Sequence, residues 1–313
     1  MLTVLISVSG VCAMAGQNPP PFEIERGTLG IVIITRQGIV FAADSRSAKA
    51  DGTFDDTADK VFRLSDKAAC TVAGIVALQH QIFGEMMGFD FPKAIEEYSR
   101  NTVAPGSSPM SLMAEWLGRR LTRDLPLGFA FATADPYADG GPIATVVIAG
   151  YSDVLMVKNP FMEAYKLALV VATQVGPGPS VRVTASEPTI VRRYWGPDIK
   201  RAPFALFTNG NAQVVLAIFE SDNEAVQASR NIPAIARFLA LRGKGELDSM
   251  TLDEATALAE ALVRESIRVA GPRLGIGGQI DIAQITEDNG FRWVPGHEPD
   301  QKRKPQGNLP ATP

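Results

Sequence analysis

The sequence predicts an α+β fold, on the order of its periodic segments and on its bulk. Short apolar runs separated by turn residues come first, then two helical stretches, then strands, two more helices and strands again, which excludes a simple alternating βαβ chain. With 313 residues, 46% of them hydrophobic, the chain can build one large or two ordinary domains around a substantial core.

The elements follow in order. Residues 2–15, LTVLISVSGVCAMA, form an apolar run ending in Ala13-Met14-Ala15, the small-x-small pattern that signal peptidase accepts. It is too short to span a membrane as a stable helix and carries no Lys or Arg. Residues 1–15 are read as a signal peptide, with an apolar propeptide or a mis-assigned start as the alternative. The expected location is secreted or periplasmic. Residues 16–27, GQNPPPFEIERG, hold three consecutive prolines and read as an extended propeptide or linker. Apolar runs at 29–34 and 39–43, around Thr35-Arg36-Gln37-Gly38, make a hairpin of buried strands, and a third strand at 68–73 ends at Gly74. The spacing over 75–100 predicts two short helices or one helix broken near Phe91-Pro92. Ser108-Pro109 opens a helix over 110–124 with Leu112, Met113, Trp116, Leu117 and Leu121 on one face. Residues 143–150 form a strand. Residues 151–203 are the least regular part, with strand-like pieces at 167–172 and 180–185 broken by Gly176-Pro177-Gly178-Pro179. Segments 204–208 and 214–219 flank Asn209-Gly210-Asn211. Thr251-Leu252-Asp253-Glu254 is a capping box heading a helix whose Ala255, Leu258, Ala259, Leu262, Val263, Ser266, Ile267 and Ala270 keep the i, i+3, i+4 repeat. A strand at 279–286, a turn and a partner at 291–294 complete the domain, 28–295. The polar, proline-bearing tail, 296–313, is expected to be disordered.

Several chemistries are excluded. The net charge of −4, with 30 Lys+Arg against 34 Asp+Glu and no long run of either sign, gives no footprint for nucleic acid. Two cysteines, Cys12 and Cys70, build neither a disulfide framework nor a Cys-rich zinc site, and Cys70 reads as a buried thiol in a strand. The two histidines are His80, on a predicted helix, and His297, in the tail; neither sits in a recognisable Ser-His-Asp motif or a histidine-rich metal site. Gly275, Gly277 and Gly278 precede a strand rather than a helix, so they read as a turn and not as a phosphate cradle. No cofactor is called for.

Thr28, Asp44 and Lys60 stand sixteen residues apart twice (44 − 28 and 60 − 44). Singly, the carboxylate and ammonium fit an ion pair between strand ends, and the threonine a β-branched strand opener. Together they supply a nucleophile, an orienting acid and a cation. The stretch 27–74, GTLGIVIITRQGIVFAADSRSAKADGTFDDTADKVFRLSDKAACTVAG, closely resembles the start of a proteasome β-type subunit, and the chain resembles a divergent, bacterial-type stand-alone member of that N-terminal-nucleophile hydrolase group. The fold implied is a four-layer αββα sandwich of two antiparallel sheets covered by helices. The resemblance implies cleavage of Gly27–Thr28, after which Thr28 Oγ is the nucleophile and its own α-amine the base. That amine has a reference pKa near ~8, and a neighbouring ammonium, Lys60 held by Asp44, lowers it further. Gly74 takes the position whose N–H donates to the oxyanion. Ser47, Ala58 and Val72 take the positions around the substrate side chain, which implies a small-to-medium apolar residue before the scissile bond.

The chain departs from the family in three places. If Gly277-Gly278 match its late Gly-Gly, Arg273 and Ile276 replace an Asp and a Ser that support the amine; Asn209-Gly210-Asn211 stands where a Gly-Ser-Gly is expected; and the insertion at 151–203 has no counterpart. An alternative alignment sets Thr28-Leu29-Gly30-Ile31 two residues beyond the nucleophile, whose position then falls on Arg26. The expected function is threonine-type cleavage of peptide amide bonds. Its alternatives are an amidase of the same fold acting on a small acyl-amide, and an inactive scaffold or binding protein. Expected partners are the peptide or small amide substrate and further copies of the chain in a homo-oligomer, whether ring or dimer, with the monomer as the alternative; no nucleic acid and no membrane span are expected.

Overall fold

The computed structural model describes residues 5–7, 28–48, 53–82, 85–101, 110–129, 142–151, 165–175, 180–187, 189–190, 204–221 and 224–299. Its strands and helices run β1 (Leu5–Ser7), β2 (Leu29–Ile34), β3 (Ile39–Asp44), β4 (Ser47–Ala48), β5 (Phe54–Asp55), β6 (Val61–Arg63), β7 (Ala68–Gly74), β8 (Ala77–Ile82), β9 (Glu85–Asp90), α1 (Phe91–Asn101), α2 (Met110–Phe129), β10 (Pro142–Tyr151), β11 (Tyr165–Gln174), β12 (Val181–Ala185), β13 (Thr189–Ile190), β14 (Ala205–Gly210), α3 (Gln213–Glu220), α4 (Glu224–Gln227), α5 (Pro233–Lys244), α6 (Leu252–Leu274), β15 (Ile280–Thr286) and β16 (Gly290–Trp293).

Two sheets carry the fold. The first has the order β1-β14-β2-β3-β15-β16, antiparallel except where β1 joins the edge in parallel with Leu206–Thr208; the second has the order β12-β11-β10-β7-β6, with β13 also on β11. Both faces of β2 and β3 are buried, because alternate residues serve different cores. Val32, Ile34, Phe41 and Ala43 meet Val61, Ala69, Val147 and Tyr165 between the sheets. Ile31, Ile33, Val40 and Ala42 instead pack under α3, α5 and α6, through Val215, Phe238, Leu258 and Leu262. On the outer face of the second sheet, Cys70, Val72, Val146 and Ile148 pack under α1 and α2 through Ala94, Leu117 and Leu121. The layers are therefore helix, sheet, sheet, helix, which is the expected αββα sandwich.

Four expectations change. Residues 77–82 and 85–90 form the antiparallel pair β8–β9 rather than a helix, so His80 is a strand residue, and α1 begins only at Phe91. Leu112, expected on the buried face of α2, is 51% exposed, and α2 runs on through Pro126 to Phe129. The second helical block is not two helices but α3 to α6, with short 3-10 turns at Ala228–Asn231 and Leu247–Ser249. Residues 296–299, expected within the disordered tail, are part of the described structure: Ile282 N donates to His297 O (3.1 Å), His297 N to Val294 O (2.9 Å), and His297 Nδ1 lies 3.0 Å from Ile280 O. Residues 300–313, the rest of that tail, lie outside the described residues, as do 8–27, Ser108-Pro109 and Gly176-Pro177-Gly178-Pro179.

Cys70, the strand-like pieces within 151–203 and the cap of α6 stand as expected. Cys70 is buried and free, and burial pushes its thiol pKa up. Within 151–203, the two strand-like pieces are β11 and β12; they extend the second sheet beyond β10 with an antiparallel register from Tyr151↔Tyr165 onward. Thr251 caps α6 as the sequence predicts, its hydroxyl accepting from Glu254 N (3.1 Å) while Thr251 N donates to the Glu254 carboxylate (2.9 Å). Among the described residues no helix is long and apolar enough to cross a membrane, and no group of three or more His, Cys, Asp or Glu is arranged to hold a metal.

Candidate active site

Thr28 immediately precedes β2, Asp44 closes β3 beside it, and Lys60 immediately precedes β6. The hairpin register, Gly30↔Ala43, brings Asp44 level with the start of β2, and its Oδ1 accepts from Leu29 N at 2.9 Å, one residue after Thr28. Lys60 comes from the other sheet. Its Nζ lies 3.3 Å from both Asp44 carboxylate oxygens, and both side chains are wholly buried.

A buried ion pair survives only when its remaining polar atoms are also satisfied. Here Asp44 Oδ2 accepts from Gly277 N (2.9 Å) and Arg46 N (3.3 Å), while Lys60 Nζ also donates to the Arg46 carbonyl. Arg46 is held in turn: Nε and Nη2 bond the two Asp56 carboxylate oxygens at 2.6 and 2.8 Å, and its guanidinium lies 4.9 Å from the Phe54 ring centroid. Ser45 closes the arrangement, donating its N–H to Gln279 O (2.9 Å) and its hydroxyl to Asp56 O (2.7 Å). Burial pushes the Lys60 pKa below the ordinary lysine value, while Asp44, and more weakly Asp281 and Asp56, oppose that shift. The outcome is a desolvated Lys60 side chain, paired with Asp44, held at the start of the strand that follows Thr28.

Gly74 ends β7 with φ +90°, and a Cβ there would lie 2.3 Å from Ile143 O, so only glycine fits. Gly27 lies outside the described residues. Ser47 is half-buried on the β4–β5 ribbon; Ala58 is half-buried, its N–H on Ser45 O at 2.9 Å; Val72 is fully buried in the core under α1 and α2. The structure thus joins Asp44 and Lys60 directly and ties them to the residue after Thr28, while the three pocket positions sit on separate elements. Ile276 is buried, and Gly277 contributes its backbone N–H to Asp44.

Sequence reasoning missed the Arg46 carbonyl and the Gly277 amide. Arg46 belongs to the AADSR motif and Gly277 to a recognised glycine pair, but backbone donors and acceptors carry no residue-type signal. A groove of about 460 Å³ between α5 and α6, lined by Ile232, Pro233, Arg237, Glu254, Ala257 and others, shares no residue with this site.

Residues 24–86 match the family model described as proteasome subunit. Among solved structures, the Anbu (Gly-1) mutant from Hyphomicrobium sp. strain MC1 is 14% identical, with 87% of this chain and 88% of that chain covered and a TM-score of 0.45. Anbu (ancestral beta-subunit) from Yersinia bercovieri is 13% identical, with the same coverage and a TM-score of 0.46. No curated protein matches the chain. The matched segment contains Thr28, Asp44, Lys60 and Gly74. The likeness to the proteasome subunit family is thus carried by residues 24–86.

Proposed function

We propose that this protein is an N-terminal-threonine hydrolase that cleaves amide bonds in peptides after processing itself at Gly27–Thr28. The observation that carries the reading is the buried Asp44–Lys60 pair hydrogen-bonded to the amide next to Thr28, all within the segment that matches the proteasome subunit model. In the processing step Thr28 Oγ adds to the Gly27 carbonyl. The C–N bond breaks, the acyl group passes to Oγ as an ester and the proton to the amine, and water hydrolyses the ester to release the upstream chain. In turnover the freed amine takes the Oγ proton as Oγ adds to the substrate carbonyl, and Gly74 N–H donates to the oxyanion. The amine then returns the proton to the leaving amine, and water hydrolyses the acyl-enzyme. Lys60 keeps the amine's pKa low enough for it to act as a base. Ser47, Ala58 and Val72 select a small-to-medium apolar residue before the bond. Residues 1–15 direct the chain out of the cytoplasm in this reading.

Thr28 is 3% exposed, and Gly210 and Ile276 stand where the resemblance expects serines; these observations favour a second reading, an inactive scaffold of the same fold. Intact mass and N-terminal sequencing of the purified protein beside Thr28→Ala decide between them. We expect the wild type to begin at Thr28 and the variant to keep upstream residues. A folded wild type that retains residues upstream of Thr28 would sink the hydrolase reading. Rates on peptides against small acyl-amides then separate peptidase from amidase.

A further inference from the structure

Asn209 is 1% exposed, on β14 between the two sheets. Its side chain makes three hydrogen bonds, all to the second sheet: Oδ1 accepts from Thr71 Oγ1 (3.1 Å), and Nδ2 donates to the carbonyls of Thr71 (3.2 Å) and Thr145 (3.1 Å). Thr71 lies on β7, three residues before Gly74, and Thr145 on the neighbouring β10, paired with Ala73. Gly210 follows with φ +75°. A Cβ there would lie 1.8 Å from Thr28 O and 2.7 Å from Ala73 Cβ. Asn211 N then donates to Thr28 O at 2.9 Å. The Asn209-Gly210-Asn211 segment therefore touches the carbonyl of Thr28 on one side and the Thr71–Ala73 stretch that leads into Gly74 on the other.

The space between the sheets is otherwise lined by residues such as Val32, Phe41, Val147 and Phe207. An amide buried there is costly unless fully bonded, and apolar replacements of both partners are often no less stable. What the amide supplies beyond packing is direction: three bonds to the second sheet orient β14, and with it Thr28, against β7. Asn209 Oδ1 also occupies the space over Gly30, where a Cβ would lie 2.0 Å away, so β2 itself is shaped to this contact.

We propose that Asn209 is a positioning residue that sets the separation between Thr28 and the Gly74 N–H across the two sheets, with Thr71 Oγ1 as its side-chain partner. The proposal rests on the hydrolase reading of Thr28. It predicts that the residue affects the reacting geometry more than substrate affinity, because the oxyanion forms only as Thr28 attacks.

The test compares wild type, Asn209→Ala and Thr71→Val. It follows processing by intact mass, steady-state hydrolysis of a fluorogenic peptide amide with an apolar residue before the bond, and thermal melts by circular dichroism. In Asn209→Ala we expect kcat on the processed fraction to fall on the order of 10²-fold, with KM changed by less than about twofold and processing slowed in parallel. Thr71→Val removes one bond without changing shape, so the fall is about tenfold. If Asn209→Ala does not fold, Thr71→Val decides alone. Folded, processed variants with wild-type kcat overturn the proposal, as does a loss of rate that only tracks the folded fraction or falls on KM. A wild type that is neither processed nor active overturns the hydrolase reading and this role with it; an active wild type matched by its variants overturns this role alone.

Discussion

Lys60 carries its charge with no exposure to solvent, and its titration follows from that. Burial lowers its pKa, with Asp44 pulling the other way. A lysine whose folded pKa lies below its unfolded value releases its proton first in the native state. Between those two values the unfolded chain binds more protons, so this group makes stability rise with pH while the site loses its ammonium. We therefore expect hydrolysis to decline on an alkaline limb that starts below the ordinary lysine range near ~10.4, with no parallel loss of folded protein from this group. A pH–rate profile taken beside melts at the same pH values checks it; a limb that coincides with unfolding would contradict the assignment. Asp44 and Lys60 stood out by residue type and spacing, but their meeting in space was not legible. Nor was the pair's satisfaction by the Arg46 carbonyl and the Gly277 amide, since any residue presents those groups and only the path of the backbone aims them.

Among the elements, α6 is the one whose start the sequence states most directly. Thr251 and Glu254 satisfy each other's backbone N–H groups, and burial of Leu258, Ala259, Leu262 and Val263 does the rest. Thr251→Ala removes one side of this box, and we expect it to cost about 1 kcal/mol, read as a shift of the urea midpoint at unchanged slope. The pair β8–β9 shows the opposite case. Residues such as Gln79, Gln81, Met86 and Met87 favour helix locally, yet β9 packs on α2 and buries Phe89 completely. Tertiary contact overrides local propensity there, which no window of the sequence reveals. In β11 the strand period was visible, but its place beside β10 depends on a register with Tyr151 that spans 151–165 and carries no local signal.

Across the whole molecule, stability rests on the layer between the sheets. Phe41 is fully buried there, with Val32, Ala43 and Val61 in the same cluster. Phe41→Ala should therefore cost about 3–5 kcal/mol, measured by denaturant unfolding, and should weaken both sheets together because they share that core. A much smaller loss would mean that the sheets do not depend on one another. From the sequence alone came the β2–β3 hairpin, the strand ending at Gly74, the capped helix, and the Thr28–Asp44–Lys60 spacing, because period, cap chemistry and side-chain type are local properties. The tertiary structure alone decided that Lys60 reaches Asp44 from the opposite sheet, that Gly277 returns more than two hundred residues later to bond the same carboxylate, and that Asn209 spans the layers to Thr71 and Thr145. These contacts depend on how two sheets stack, and stacking is fixed by the sum of buried surface rather than by any one residue.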